Sequence, residues 1–86
     1  MTGPIDGHSV LASASANGNI AFWDLNENGR LLHIARGAHD RSITAIAWVP
    51  GQPLLISSGE DNSVKVRVTY HLDDSFVVNH LLAMAL

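Results

Sequence analysis

The 86-residue chain has no cysteine, which excludes disulfide staples and thiolate chemistry while leaving the redox compartment open. It is also poor in cations, with five Lys and Arg against eight Asp and Glu and a net charge of −3. These cations do not cluster, and neutralising a phosphate backbone needs clustered cations. No direct nucleic-acid binding is therefore evident in this segment. Long apolar runs are missing too. The longest, Phe76 to Leu86, is interrupted by Asn79 and His80, whereas a membrane helix needs about 20 apolar residues. The first eight residues, Met1 to His8, lack the apolar core of a signal peptide. Neither a membrane span nor a leader is expected. Gly-rich phosphate loops and a Gly-x-Ser-x-Gly elbow are absent. The five histidines (8, 33, 39, 71 and 80) show no zinc-ligand spacing. No cofactor or metal is implied. What remains is a globular balance, 47% hydrophobic and 15% charged.

Within that balance one segment occurs twice, 44 positions apart. Leu11-Ala-Ser-Ala-Ser-Ala-Asn-Gly-Asn-Ile-Ala-Phe-Trp-Asp24 aligns with Leu55-Ile-Ser-Ser-Gly-Glu-Asp-Asn-Ser-Val-Lys-Val-Arg-Val68. Ser13 matches Ser57, Asn17 matches Asp61, Phe22 matches Val66 and Trp23 matches Arg67. A period of about 40–45 residues is that of a four-stranded β unit which cannot bury its apolar face alone.

Local patterning agrees. Val10 to Ser15 reads as a strand, and Asn17-Gly18 is a favoured two-residue hairpin turn because Asn-Gly takes φ > 0 at little cost. Residues 19–25 alternate as a return strand, with Ile20, Phe22 and Asp24 on one face. Leu31 to Ile34, Ile43 to Val49, Leu54 to Ser58 and Ser63 to Val68 are further strands. Pro50-Gly51 suits the middle of a type II turn. Asp73-Asp74 reads as a solvated turn rather than a carboxylate pair.

These residues resemble a WD40 repeat. Ala38-His39 matches its Gly/Ala-His element, Trp23-Asp24 its Trp-Asp dipeptide, and Leu-Ile-Ser-Ser with Asp61 its hairpin. The resemblance implies an all-β fold of antiparallel four-stranded WD40 blades, about one and a half blades of a β-propeller, with an irregular or short helical C-terminal tail. The expected division is an irregular segment over 1–9, a partial repeat region over 10–68 (half blade 10–25, complete blade region 31–68) and a divergent tail over 69–86. By the 44-residue offset Phe76-Val77-Val78 could supply an outer strand, while Leu81 to Leu86 could form a short helix. One and a half blades is short of a closed ring, so the chain is expected to be a fragment, with the remaining blades missing.

Ser57, His39 and Asp61 invite a hydrolase-triad reading. The resemblance implies instead a structural blade network, His39–Ser57–Asp61, closed by a Trp. Arg67 stands where that Trp is expected, so the chain of hydrogen bonds should lack its indole end and the blade should be weakened. Longer strings, Ile20 to Leu25, Gly29 to His33, Ala38 to Asp40 and Trp48 to Ile56, are similar to the nucleolar tandem-propeller branch of the family in the small-subunit processome. That likeness implies a non-catalytic scaffold in small ribosomal subunit biogenesis and pre-rRNA processing. It also implies location in the nucleus and nucleolus, with proteins of a large ribonucleoprotein assembly as partners. The alternatives are a generic WD-repeat adaptor in another complex and, remotely, a small Ser/His/Asp hydrolase.

Overall fold

The computed structural model describes residues 2–5, 8–72 and 75–85. Asp73-Asp74 lies outside the described residues. The described chain forms two four-stranded antiparallel meanders. β1 (Thr2–Ile5), β2 (His8–Ala14), β3 (Ile20–Asp24) and β4 (Arg30–Ala35) make the first sheet in that order. β5 (Ile43–Trp48), β6 (Leu54–Gly59), β7 (Ser63–Leu72) and β8 (Ser75–Ala85) make the second.

The sequence repeat is reproduced in the pairing. Leu11 faces Trp23 and Ala12 faces Phe22, as Leu55 faces Arg67 and Ile56 faces Val66. A register shift falls between Phe22 and Trp23 in the first sheet and between Val66 and Arg67 in the second. The same backbone irregularity recurs at equivalent positions.

Three expectations change. Within the segment expected to be irregular over 1–9, Thr2–Ile5 forms β1 and pairs along β2, from Thr2 opposite Leu11 to Ile5 opposite His8. Pro4 lacks an N–H and hides the strand in the sequence, but it is tolerated on an edge strand such as β1. The tail is neither irregular nor helical, because residues 75–85 form β8. Six residues are too few to nucleate a helix, whereas pairing with β7 satisfies its backbone along its length. The fold therefore contains two whole four-stranded sheets rather than one and a half. The register of β8 also departs from the 44-residue offset. His33 opposes Phe22, but Leu82 opposes Val66, 49 positions on. The extra length lies in β7, which runs on to Leu72, so Phe76 and Val78 pair with His71 and Thr69.

The turns follow their residues. Gln52 N–H donates to Val49 C=O at 3.1 Å with Gly51 at φ 73°, closing the type II turn at Pro50-Gly51. The β2–β3 connection is longer than the two-residue turn expected at Asn17-Gly18. Ala14 pairs with Ile20, and Gly18 N–H donates to Ser15 C=O at 3.2 Å. Asn62, its counterpart, donates to Gly59 C=O at 3.2 Å.

The core lies between the sheets. Val10, Ala12, Ile20 and Phe22 are fully buried on the facing side of the first sheet, against Leu55 of the second. Phe22 anchors this layer, its ring centroid 5.3 Å from Phe76 and 6.4 Å from Trp48. Offset and tilted ring pairs at such spacings are favourable. The two sheets bury non-equivalent faces. β3 buries Ile20, Phe22 and Asp24, whereas β6 buries Leu55, Ser57 and Gly59.

Candidate functional site

The connection after β4 carries Ala38 and His39 into the seam between the sheets, where both are buried. Backbone bonds hold it there. His39 N–H donates to Gly18 C=O at 3.0 Å, and Gly37 N–H to Asn19 Oδ1 at 2.9 Å. Gly18 has φ 88°, and a Cβ there would meet His39 C=O oxygen at 2.0 Å. The position needs glycine on both counts. On the other side, Asp40 N–H donates to Asp61 Oδ2 at 3.0 Å. The linker thus fastens a turn of the first sheet to a turn of the second.

His39 lies at the centre of a hydrogen-bond chain. Its Nδ1 is 2.9 Å from Asp61 Oδ1 and its Nε2 is 2.8 Å from Ser57 Oγ. Arg67 Nη1 donates to the same Ser57 Oγ at 3.0 Å. The imidazole thus bridges the Ser57 hydroxyl, to which the guanidinium donates, and the Asp61 carboxylate. Ser63 Oγ also donates to Asp61 Oδ1 at 2.7 Å. That bond, followed by those from His39 and Asp40 N–H, holds the Asp61 carboxyl well below the usual carboxylate range.

The structure brings His39, Ser57 and Asp61 together, and it corrects the expectation at Arg67. The chain does not lack a donor there, because the guanidinium supplies the N–H expected of an indole. Arg67 is only 6% exposed. Its Nη2 donates to Ala38 C=O at 3.1 Å, an oxygen that Lys65 Nζ reaches at 2.6 Å. Burial pushes the guanidinium pKa down, the direction desolvation imposes on a cation.

The first sheet holds the matching pair apart from this cluster. Trp23 Nε1 donates to Ser13 Oγ at 3.0 Å. Asp24 accepts from Asn26 N–H at 2.9 Å and caps the single 3₁₀ turn Leu25–Glu27, as a short polar side chain does at a helix start. Sequence reasoning passed over Lys65, Ser63 and Gly59, and read Gly18 only as a turn residue. Lys65 and Ser63 flank Val64 inside the repeat, so alternation with Arg67 was the available signal. The close approach of either glycine to His39 gave none, because a contact between residues far apart in the sequence leaves no local pattern.

The order Ser57–His39–Asp61 is that of a hydrolase triad, but its setting differs. Ser57 is fully buried, and Arg67 Nη1 also donates to its Oγ. That hydroxyl is hydrogen-bonded to both the imidazole and the guanidinium. Among the described residues no group of three or more His, Cys, Asp or Glu could hold a metal. No described helix is long and apolar enough to cross a membrane.

Comparison with known proteins follows the same lines. Residues 29–67 match the family described as "WD domain, G-beta repeat". That span is β4 followed by three strands of the second sheet, so the sequence unit straddles both sheets. The chain is 38% identical over 61 residues to human WD repeat-containing protein 36, covering 71% of this chain and 7% of that protein. It is 40% identical over 60 residues to the U3 small nucleolar RNA-associated protein 21 homolog of Schizosaccharomyces pombe, covering 70% and 6%. It is 31% identical over 62 residues to nuclear distribution protein PAC1 of Ajellomyces capsulatus, covering 64% and 14%. The chain thus spans a small part of the length of each relative.

Proposed function

Since this is a WD40-repeat chain, we propose that it acts as a non-catalytic scaffold in small ribosomal subunit biogenesis and pre-rRNA processing, in the nucleolus. The carrying observation is the 40% identity to a protein named for association with U3 small nucleolar RNA. The polar cluster of the chain supports the same reading. Ser57 Oγ is sealed between His39 and Arg67, which supports fastening rather than turnover. The partners would be proteins of a large ribonucleoprotein assembly, since the cations of this segment are few and two of them, Lys65 and Arg67, are spent on Ala38 C=O.

The test is affinity purification of the tagged protein from nuclei, with U3 small nucleolar RNA quantified in the eluate. Enrichment that survives dilution of the extract is the expected result. Recovery of U3 RNA no better than from a tagged unrelated WD40 protein would remove the ribosomal reading. The likeness to a nuclear distribution protein favours the second reading, an adaptor in another complex, which that outcome would leave standing. Hydrolysis is tested separately: a serine-directed covalent probe should leave Ser57 unlabelled.

A further inference from the structure

Two Asn-Gly dipeptides lie in turns of the first sheet, Asn17-Gly18 between β2 and β3 and Asn28-Gly29 between β3 and β4. Asparagine is thermolabile, most of all before glycine, where no Cβ shields the following backbone nitrogen from the side-chain carbonyl carbon. The fold treats the two dipeptides unequally.

Asn17-Gly18 is clamped. Gly18 is buried; its N–H donates to Ser15 C=O at 3.2 Å and its C=O accepts from His39 N–H at 3.0 Å. Asn17 Oδ1 accepts from Asn19 N–H at 3.3 Å and from the Ser15 hydroxyl. The peptide unit between them turns only if the linker carrying His39 parts from the first sheet. Asn28-Gly29 has more room. Asn28 is exposed and left-handed, with φ 57° and ψ 32°, and its side chain makes no hydrogen bond among the described residues. Nothing lies within 4 Å of a Cβ on Gly29. The turn bond at this peptide unit runs from Gly29 N–H to Asp24 C=O at 2.9 Å.

We propose that Asn28 is a site of spontaneous deamidation, with water as the co-reactant, and that the fold spares Asn17. When the bond to Asp24 opens, Asn28 leaves its ψ of 32° and the Gly29 nitrogen attacks Asn28 Cγ. A C–N bond forms and closes a succinimide ring. The Cγ–Nδ2 bond breaks, and Nδ2 departs as ammonia with the proton given up by Gly29 N–H. Water then adds to one ring carbonyl. Addition at Cγ gives aspartate. Addition at the backbone carbonyl gives isoaspartate, with the chain rerouted through Cγ and lengthened by a methylene. The net change is water taken up and ammonia released. Either product places a new carboxylate in the turn that joins Asp24 to Arg30. The inference stands apart from the ribosomal reading, since it concerns the chemistry of one turn.

Peptide mapping by mass spectrometry tests it on the full 86-residue chain, kept in mildly alkaline buffer with and without urea. Chromatography separates the aspartate and isoaspartate products, which have equal mass. In native buffer, conversion at Asn28 should run at least about tenfold faster than at Asn17, because opening free energies rise from near zero in exposed loops toward the global value in buried parts. In urea the two should convert at similar rates, since both precede glycine. Asn28→Gly, which suits the left-handed backbone, should remove conversion in that turn and leave the slow conversion at Asn17 unchanged. Native rates that are equal, or faster at Asn17, would overturn the proposal. So would an Asn28 that stays intact in native buffer over a time in which the urea-treated chain converts.

Discussion

Arg67 donates to Ser57 Oγ at 3.0 Å, the distance at which Trp23 donates to Ser13 Oγ 44 residues earlier. Both donors sit opposite equivalent leucines, Leu55 and Leu11, next to equivalent register shifts. One backbone geometry thus presents two unlike side chains for one task. An indole and a guanidinium share an N–H that reaches the hydroxyl of the neighbouring strand. They differ in charge, and Arg67 carries its charge into a buried seam with one carbonyl as its other hydrogen-bonded acceptor.

Arg67→Trp should therefore stabilise the chain. It keeps an N–H for Ser57 and removes a buried cation, an exchange of the kind worth about 1–4 kcal/mol. Arg67→Met removes the donor as well, leaving Ser57 Oγ and Ala38 C=O each one partner poorer. It should rank below Trp, and the loss of a hydrogen bond to a charged group is worth about 1.5–3 kcal/mol. Urea denaturation of the three proteins, at one concentration, checks the order. Methionine equal to tryptophan would show that the donor is unimportant.

The fold was legible where one segment shows its own periodicity. Ile20, Phe22 and Asp24 alternate, Pro50-Gly51 fits one turn type, and the second copy of the repeat announces the second hairpin. It was illegible where pairing with a neighbour decides. Phe76 to Ala85 is apolar without alternation, and only the open edge of β7 makes it a strand. The network was legible as a set, because the resemblance places His39, Ser57 and Asp61 at matching spacings. The role of Arg67 was not: a motif records a missing indole, whereas geometry records a donor in its place.

Acid should weaken the seam through Asp61. Its folded-state pKa is depressed below the unfolded value of 3.8, first by the Ser63 hydroxyl and then by His39. A depressed carboxylate contributes stability that is fully present above its unfolded pKa. That contribution is lost as pH falls further, toward the folded value. The urea midpoint should hold steady above about pH 5 and decline below pH 4. Asp61→Asn should start lower and show a shallower decline over the same range. Parallel acid profiles for the two proteins would assign the loss to other groups.

Phe22 should be the costliest core position. It is fully buried and touches the rings of Phe76 and Trp48 in the other sheet. Phe22→Ala removes the layer between the sheets and should cost about 3–5 kcal/mol. Val66, its counterpart, lies on the outer face, so Val66→Ala should cost less in the single chain. Thermal melts at low concentration separate the two. Equal losses would mean that the outer face is already covered.

Gly59 is the sharpest test of the fastener, because its requirement is space rather than backbone freedom. It is not among the glycines with positive φ, so alanine suits its backbone. A Cβ there would nonetheless stand 2.7 Å from His39 Nδ1 and 2.9 Å from Asp61 Oδ1. Both atoms belong to one hydrogen bond, so neither retreats without lengthening it. Gly59→Ala should cost about 1–3 kcal/mol, the range for forcing an extra methyl into packed surroundings. Gly51→Ala gives the contrast, since nothing lies within 4 Å of a Cβ there and only its φ of 73° resists. Its cost should stay near 1 kcal/mol. The two differ further in a combination with Asp61→Ala. Removing the carboxylate frees one of the two blocking atoms, so the penalty of Gly59→Ala should shrink in that background while that of Gly51→Ala stays unchanged. Additive losses for Gly59→Ala and Asp61→Ala would place the strain outside the His39–Asp61 pair.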